Sequence, residues 1–415
     1  MPTVSPATGP AVRPYDKDRD LDAVKRIWRE IGWATSDEES AVVEPFYDAG
    51  RTLVYELGGA AESAVHLSRG RIRYQDDDLV LAAVTAVTTS HVARKRGAAR
   101  QLLARMLAEE ASTGAHVSAL GTFDQGFYDH LGFGTGPYEH KFTFDPMTLL
   151  IDRAPRSPIR VGKADWRELH ACLLDRLRWH GGVCLDDPLL LKAELGSSHD
   201  EPFGLGYRDD EGRLTHFLFG RAKGEHGPYE VTWLSYQDVD QLLELLALLR
   251  MLGDQVHEVS LIEPPRLQLQ DLLRTPFREG RRTRGEPFQR SVAWWQLRIL
   301  DLDACLAAAH LPGDDLRFNL ELHDPALDHV PDHIGWEGTA GSSVVTLGAT
   351  CGREPGRAAD LPTLRTGVGA LSRLLFGVRD ATTLAATTDL TAGPELLAGL
   401  DRAVRLPQPR FAWDF

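Results

Sequence analysis

HVARKRGAARQLLARML, residues 91–107, decides how the chain is read. Its first half is basic with a single glycine, and its second half places Leu102, Leu103, Met106 and Leu107 at helical spacing. The preceding run LVLAAVTAVTTS, residues 79–90, is apolar and β-branched and predicts a strand. Arg94, Lys95 and Arg96 therefore fall at a strand-to-helix junction. Basic residues at a helix start oppose its dipole, whereas the unpaired N–H groups there favour an anion. Gly97, Ala98 and Ala99 are small enough for the backbone to close round a pyrophosphate. Alone, R-x-x-G-x-A fits a solvated basic turn equally well; between a strand and an amphipathic helix it favours a phosphate socket.

Outward from this junction, Asp20 is expected to cap a helix carrying Leu21, Val24, Ile27, Trp28 and Ile31. RTLVYEL (51–57) reads as a strand ended by Gly58 and Gly59. SAVHLSRGRIRYQ (63–75) is another, joined to the 79–90 strand through Asp76, Asp77 and Asp78. The helix after the basic turn is expected to keep Glu109 and Glu110 outside and to stop near Gly114. HVSAL, the short segment DQGFYDHLGFG and a last strand HKFTFD complete the first unit. DRAPRSPIR (152–160) is proline-rich and reads as a linker. A second helix–strand series runs from ADWRELHACLLDRLRWHG to EVSLIEPP in similar order, without a glycine-bearing basic turn. From Ser291, AWWQLRILDLDACLAAA predicts a strand and a helix. DLRFNLEL, IGWEGTAG and SSVVTLGAT predict strands of an antiparallel sheet, and DLPTLRTGVGALSRLLFG and PELLAGLDRAV predict helices. The fold class is α+β with a mixed sheet, in three units at residues 1–152, 153–290 and 291–415.

Composition narrows the function. A chain of 415 residues exceeds one ordinary core. No apolar run approaches the roughly 18 residues of a membrane span, and the N-terminal stretch has no secretory pattern. Cys172, Cys184, Cys305 and Cys351 show no CxxC spacing, which speaks against zinc or disulfides and for a cytoplasmic location. A formal charge of −14 makes nucleic acid a poor partner and a cationic small molecule a better one.

Strand, R-x-x-G-x-A, helix, strand and an aromatic short helix together resemble the GNAT superfamily of acyl-CoA-dependent N-acyltransferases. A second unit without the motif, a third similar to sterol carrier proteins, the Tyr128–Gly134 stretch and the aromatic C-terminal residue resemble its enhanced intracellular survival (Eis) type. The resemblance implies acetyl-CoA as co-substrate, no metal, and a homo-oligomer, a hexamer in that group. It places the pyrophosphate on the backbone of Arg94, Lys95, Arg96, Gly97, Ala98, Ala99 and Arg100, and the pantetheine arm along Val87 and Thr89. Where the family often has proline after this strand, the chain has Ser90 and His91.

Acetyl transfer from a thioester to an amine needs a neutral amine, a stabilised oxyanion and a protonated leaving thiolate. Thiol and tyrosine reference pKa values of about 8.5 and 10 allow a positioned tyrosine to supply that proton. The resemblance assigns this to Tyr128; as a residue among Phe127, Leu131 and Phe133 it also reads as core. His116, His130 and His140 qualify as bases only by nearness in sequence. In Eis-type enzymes the C-terminal carboxylate enters the active site, which here is that of Phe415. Trp28, Trp33, Asp37, Ala86 and Asp414 are the candidate acceptor contacts, with Ala86 leaving room for a bulky amine. The expected acceptor is an aminoglycoside-like compound or basic peptide. The alternatives are a pathway-specific biosynthetic intermediate, or a ligand-binding scaffold that has lost transfer activity.

Overall fold

The computed structural model describes residues 11–124, 126–197, 202–274, 288–413 and 415. The first third runs β1 (Ala11–Pro14), α1 (Lys17–Glu30), α2 (Asp37–Asp48), β2 (Arg51–Leu57), β3 (Ala60–Tyr74), β4 (Asp77–Thr89), α3 (Ala98–Ser112) and β5 (Val117–Gly121). The middle follows as β6 (Gly134–Thr135), β7 (Glu139–Phe144), β8 (Ile159–Arg160), α4 (Trp166–Asp175), β9 (Val183–Leu185), α5 (Pro188–Gly196), β10 (Pro202–Arg208), β11 (Leu214–Ala222), β12 (Tyr229–Ser235), α6 (Val239–Met251) and β13 (Val259–Ile262). The last part is β14 (Phe288–Val292), β15 (Trp295–Ile299), α7 (Leu302–Ala307), β16 (Leu316–His323), β17 (Gly341–Leu347), β18 (Gly352–Pro355), β19 (Thr363–Gly367), α8 (Val368–Leu375), α9 (Ala381–Thr387) and α10 (Pro394–Ala403).

Among the described residues three mixed sheets form, ordered β1-β2-β3-β4-β5-β15-β6 with β9 on β3, β14-β7-β13-β12-β11-β10-β8, and β18-β17-β16-β19. In the first sheet, side-chain alternation sends Leu53 and Tyr55 to the face covered by α3 and Val54 to the face covered by α1 and α2. The two apolar faces explain why β4 reads as a nearly continuous apolar run.

The sheets ignore chain order at the expected borders. HKFTFD, expected to close the first unit, lies in β7 and pairs with β13 and β14 of the second sheet. AWWQL, expected to open the third, supplies β15, which pairs with β5 and β6 of the first. The edge of β5 that faces away from β4 is the one β15 covers.

Other local expectations are corrected. Asp16, not Asp20, caps α1, its carboxylate accepting from the Asp18 N–H; Asp20 is buried and held by Arg13 at 2.6 and 2.7 Å. Glu110 is buried rather than outside, because Arg51 and Arg69 reach it at 3.0 and 2.9 Å. IGWEGTAG holds no strand before Gly341. The front of DLPTLRTGVGALSRLLFG is β19, where pairing with β16 and the alternate burial of Leu364 and Thr366 override the helical reading.

Candidate active site

The site begins with a fault in β4. Ala64 pairs with Thr88 and His66 with Thr85, so Val65 faces both Ala86 and Val87, a β-bulge. Ala86 sits at φ 45°, a left-handed conformation that is strained for alanine. Beyond it β4 leaves its parallel neighbour: pairing with β5 runs from Leu81–Val117 to Val84–Leu120 and stops, although β4 continues to Thr89. The splay leaves a V-shaped opening with free strand edges on both sides. Two cavities fill it and share Trp33, Val87 and Phe123.

The larger cavity, about 620 Å³, leads to the basic turn and is lined by Val87, Thr88, Thr89, Arg94, Lys95, Gly97, Ala98, Ala99 and Arg100. α3 starts at Ala98, so Arg94, Lys95 and Arg96 precede the helix and only Arg100 lies in its first turn. Lys95 and Gly97 take φ of 60° and 76°, left-handed backbone of the kind that builds anion-binding turns. Gly97 caps α3 without a side-chain bond, leaving the first-turn donors for a ligand. The helices α1, α2 and α6 are capped by Asp16, Ser36 and Asp238. Arg94, Lys95 and Arg100 have no carboxylate partner among the described residues, and Arg96 turns back to donate to the Val92 carbonyl at 3.1 Å, away from the lining. This arrangement fits a pyrophosphate on the turn and an extended arm along β4.

The smaller cavity, about 250 Å³, holds the chemistry-bearing groups. Ala86 and Val87 line it from β4 and Gly121 from β5, with Thr122, Phe123, Tyr128, Trp294 and Phe415 around them. A methyl group added to Gly121 would lie 3.7 Å from a terminal oxygen of Phe415, so the carboxylate stands directly over the parted end of β5. Tyr128 is buried, with Phe123, Phe127 and Phe133 set edge-on at 5.9, 5.0 and 6.1 Å. Burial, with Asp124 nearby, raises its pKa above that of an ordinary tyrosine, so its hydroxyl keeps a proton at neutral pH. Tyr128 is a core residue that also lines the chamber.

The tail reaches this chamber from a mooring on the middle of the chain. The Phe411 carbonyl accepts from the Val183 N–H at 3.0 Å and from Arg176 Nη2 at 3.3 Å. The Arg410 N–H donates to the His180 carbonyl at 3.0 Å. The Phe411 ring stacks on Trp295 at 3.7 Å and on Phe415 at 5.9 Å. Ala412, at φ 51°, turns the chain between them.

Other expected contacts fall elsewhere. Trp28 is buried, bonded to Tyr47 at 3.1 Å, and lines neither cavity. Asp37 is solvent-exposed near Arg29. Asp414 lies outside the described residues. His116 accepts from the Val80 N–H, His140 meets Ser291 and Gln289, and His130 is exposed, so none of the three lines the chamber. The sequence reading missed Thr122 and Trp294. Trp294 carries a faint signal, an indole beside Trp295 at a strand start, and both indoles donate to Glu139.

A family profile described as acetyltransferase (GNAT) domain matches residues 11–136. No curated protein matches the chain significantly. Among solved structures, a conserved protein of unknown function from Enterococcus faecalis, titled a probable N-acyltransferase, is similar with a TM-score of 0.80 at 18% identity, covering 98% of this chain and 100% of its own. A GCN5-related N-acetyltransferase from Anabaena variabilis gives 0.78 at 15% identity over 98% and 100%. Eis1 from Mycobacterium abscessus gives 0.75 at 18% identity over the same shares. The chain has the fold of these proteins nearly end to end, and its residues 11–136 match the GNAT acetyltransferase domain.

Proposed function

We propose that the protein transfers an acetyl group from acetyl-CoA to a primary amine of a cationic small molecule or basic peptide, with Tyr128 as general acid and the Phe415 carboxylate as base. One observation carries this reading. The chamber where β4 and β5 part is lined by the Tyr128 side chain and the chain terminus, and Phe415 supplies its one charged group among the described residues. That negative charge, ringed by Trp33, Phe123 and Trp294, suits an amine passing through its ammonium form.

Acetyl-CoA supplies the activated acyl group, its pyrophosphate on residues 94–100 and its arm along Val87 and Thr89. The Phe415 carboxylate takes the proton lost by the acceptor nitrogen, through a bridging water, as the N–C bond forms and the C–S bond breaks. Tyr128 gives its proton to the departing thiolate. A carboxylate of ordinary pKa is a weak base for an ammonium in water; an apolar, aromatic chamber favours transfer that leaves both groups uncharged. The backbone N–H near Val87, freed by the bulge, is the proposed oxyanion donor. The last part of the chain, proposed as sterol-carrier-like, serves to deliver the terminus, and the assembly is proposed as a homo-hexamer, which light scattering checks.

The test is CoA-thiol release over a panel of aminoglycosides, polyamines, lysine peptides and amino sugars, with an untagged C-terminus. Amine-dependent release is expected to fall at least about 100-fold in Tyr128→Phe, the range for losing a general acid, and similarly in a chain ending at residue 414. Full activity in both variants overturns the assignment of acid and base; activity confined to an uncharged acceptor overturns the cationic class.

A further inference from the structure

The middle of the chain repeats the splay without the socket. β12 and β13 are parallel neighbours paired at Tyr229–Val259 and Glu230–Ser260. Where they part, a cavity of about 270 Å³ opens between Val231, Thr232 and Leu234 on one strand and Leu261 and Ile262 on the other. α6, which follows β12 as α3 follows β4, is closed to a pyrophosphate. Asp238 caps it with its own carboxylate, accepting from the Gln241 N–H at 2.8 Å. The cavity therefore does not suit acetyl-CoA. Its remaining walls include the segment after α4, Arg410, Ala412 and Trp413 of the tail, and Glu139, Lys141, Arg221 and Trp294.

The charges on this wall do not cancel pairwise. Of its five cations, Arg178 is held by both oxygens of Asp78 at 2.8 Å, and Lys141 lies 4.0 Å from Glu230. Arg176, Arg221 and Arg410 have no carboxylate partner among the described residues. Arg176 is the telling one: it is 6% exposed. It bonds to the carbonyls of Leu173, Val183 and Phe411 and to the Cys184 thiol, and stacks on Trp413 at 5.3 Å. Arg410 donates to the Tyr138 carbonyl at 2.5 Å, and Arg221 is exposed at the rim. The three carboxylates on the lining are already engaged. Glu139 takes two indole N–H groups, Glu263 the Leu269 N–H, and Glu230 lies near Lys141 and Lys223. A buried guanidinium with no counter-charge is costly, and a bound anion offsets that cost. The other walls, with Trp179, Trp294, Trp413 and Leu234, suit an apolar body of modest size.

We propose that this second splay is a binding site for a small organic acid, a carboxylate on an aromatic or branched apolar body, held by Arg221 and Arg410 in front of the buried charge of Arg176 while acetyl-CoA occupies the first. Trp294 lines both this cavity and the transfer chamber, and the tail residues forming its wall lead directly to Phe415. An acid bound here therefore abuts the segment that carries the terminal carboxylate.

The experiment is a tryptophan-fluorescence titration of the full chain, saturated with acetyl-CoA, using 3-phenylpropionate as probe and 3-phenylpropanol and 3-phenylpropylamine as controls. Saturable binding of the acid is expected, at least about tenfold tighter than either control and about tenfold weaker in Arg221→Ala and in Arg410→Ala, one guanidinium–carboxylate contact each. Arg221 is exposed, and Arg410 keeps its backbone bond to His180 when truncated; circular dichroism of each variant confirms the fold. Tighter binding of the amine, equal binding of the alcohol, indifference to both substitutions, or displacement of the acid by acetyl-CoA would each overturn the proposal. None of these outcomes touches the transfer reaction, which thiol release measures separately.

Discussion

Gly181→Ala, a one-methyl change in the loop between α4 and β9, is expected to slow acetyl transfer without touching the chamber. Gly181 has φ 85°, and a Cβ there would stand 2.4 Å from Pro409 Cβ and 2.5 Å from both Pro409 Cα and the Arg410 nitrogen. The loop itself has little room to retreat, because the Gly181 N–H donates to the Arg73 carbonyl at 2.7 Å and the Arg73 N–H to the Gly182 carbonyl at 2.9 Å. The tail has to give. Restoring an ordinary carbon–carbon separation of about 3.5 Å asks for a shift of roughly 1 Å, passed down to a terminus five residues on. A misplacement of that size costs on the order of 100-fold in rate, or about 2.7 kcal/mol of transition-state stabilisation. Left-handed strain of about 1 kcal/mol and overpacking of about 1–3 kcal/mol add a loss of stability. Gly212→Ala separates the two effects: its φ is 82° but no atom lies within 4 Å of the added Cβ. Steady-state thiol release and thermal melts on both variants are the assay. Gly181→Ala should lose kcat with an unchanged KM for acetyl-CoA, and Gly212→Ala should lose only a few degrees of Tm. Wild-type kcat in a destabilised Gly181→Ala protein would refute the claim that the tail's mooring sets the position of the base.

Other outcomes follow from the same structure. Arg94→Glu places a like charge at the proposed pyrophosphate turn and should raise the KM for acetyl-CoA about tenfold or more at low salt, an effect that added salt narrows; an unchanged KM would remove Arg94 from the socket. Arg298→Met strands Asp324, since the two form an ion pair at 2.7 Å with both side chains fully buried. Urea unfolding should show a loss of about 3–5 kcal/mol, largely recovered in Arg298→Met with Asp324→Leu. His66 is fully buried, and burial alone lowers its pKa from 6.5 to about 3. The unfolded chain takes up a proton as pH falls through 6.5 while the folded one does not until about pH 3. This contribution is therefore complete above pH 6.5 and lost below it, amounting to about 2 kcal/mol at pH 5. His66→Gln should flatten that limb of the pH–stability curve, and an unchanged slope between pH 7.5 and 5 would show that His66 is not the group responsible.

The residues alone carried the strand, the small-residue basic turn and the amphipathic helix at the centre of the first unit. Strand, small-residue turn and amphipathic helix are local signals, written in the spacing of Val84, Gly97, Leu103 and Leu107. They fixed where α3 begins to within a few residues and which backbone amides stand unpaired. Tyr128 and Phe415 were legible only through resemblance, because nothing local distinguishes a chamber tyrosine from a core one. Tertiary structure decided the rest, since it depends on contacts between residues far apart in the chain. β7 and β15 crossed the expected borders because a sheet edge accepts any strand that buries its face and pairs its N–H groups. Trp28 fell inward and Asp37 outward because packing of α1 and α2 on the sheet, not proximity to the motif, sets which side chains see the cleft. The grip of Arg176 and Gly181 on Pro409–Phe411 joins residues more than two hundred positions apart. No spacing rule reaches that far; only the closed fold brings the chain's last residue to its first third.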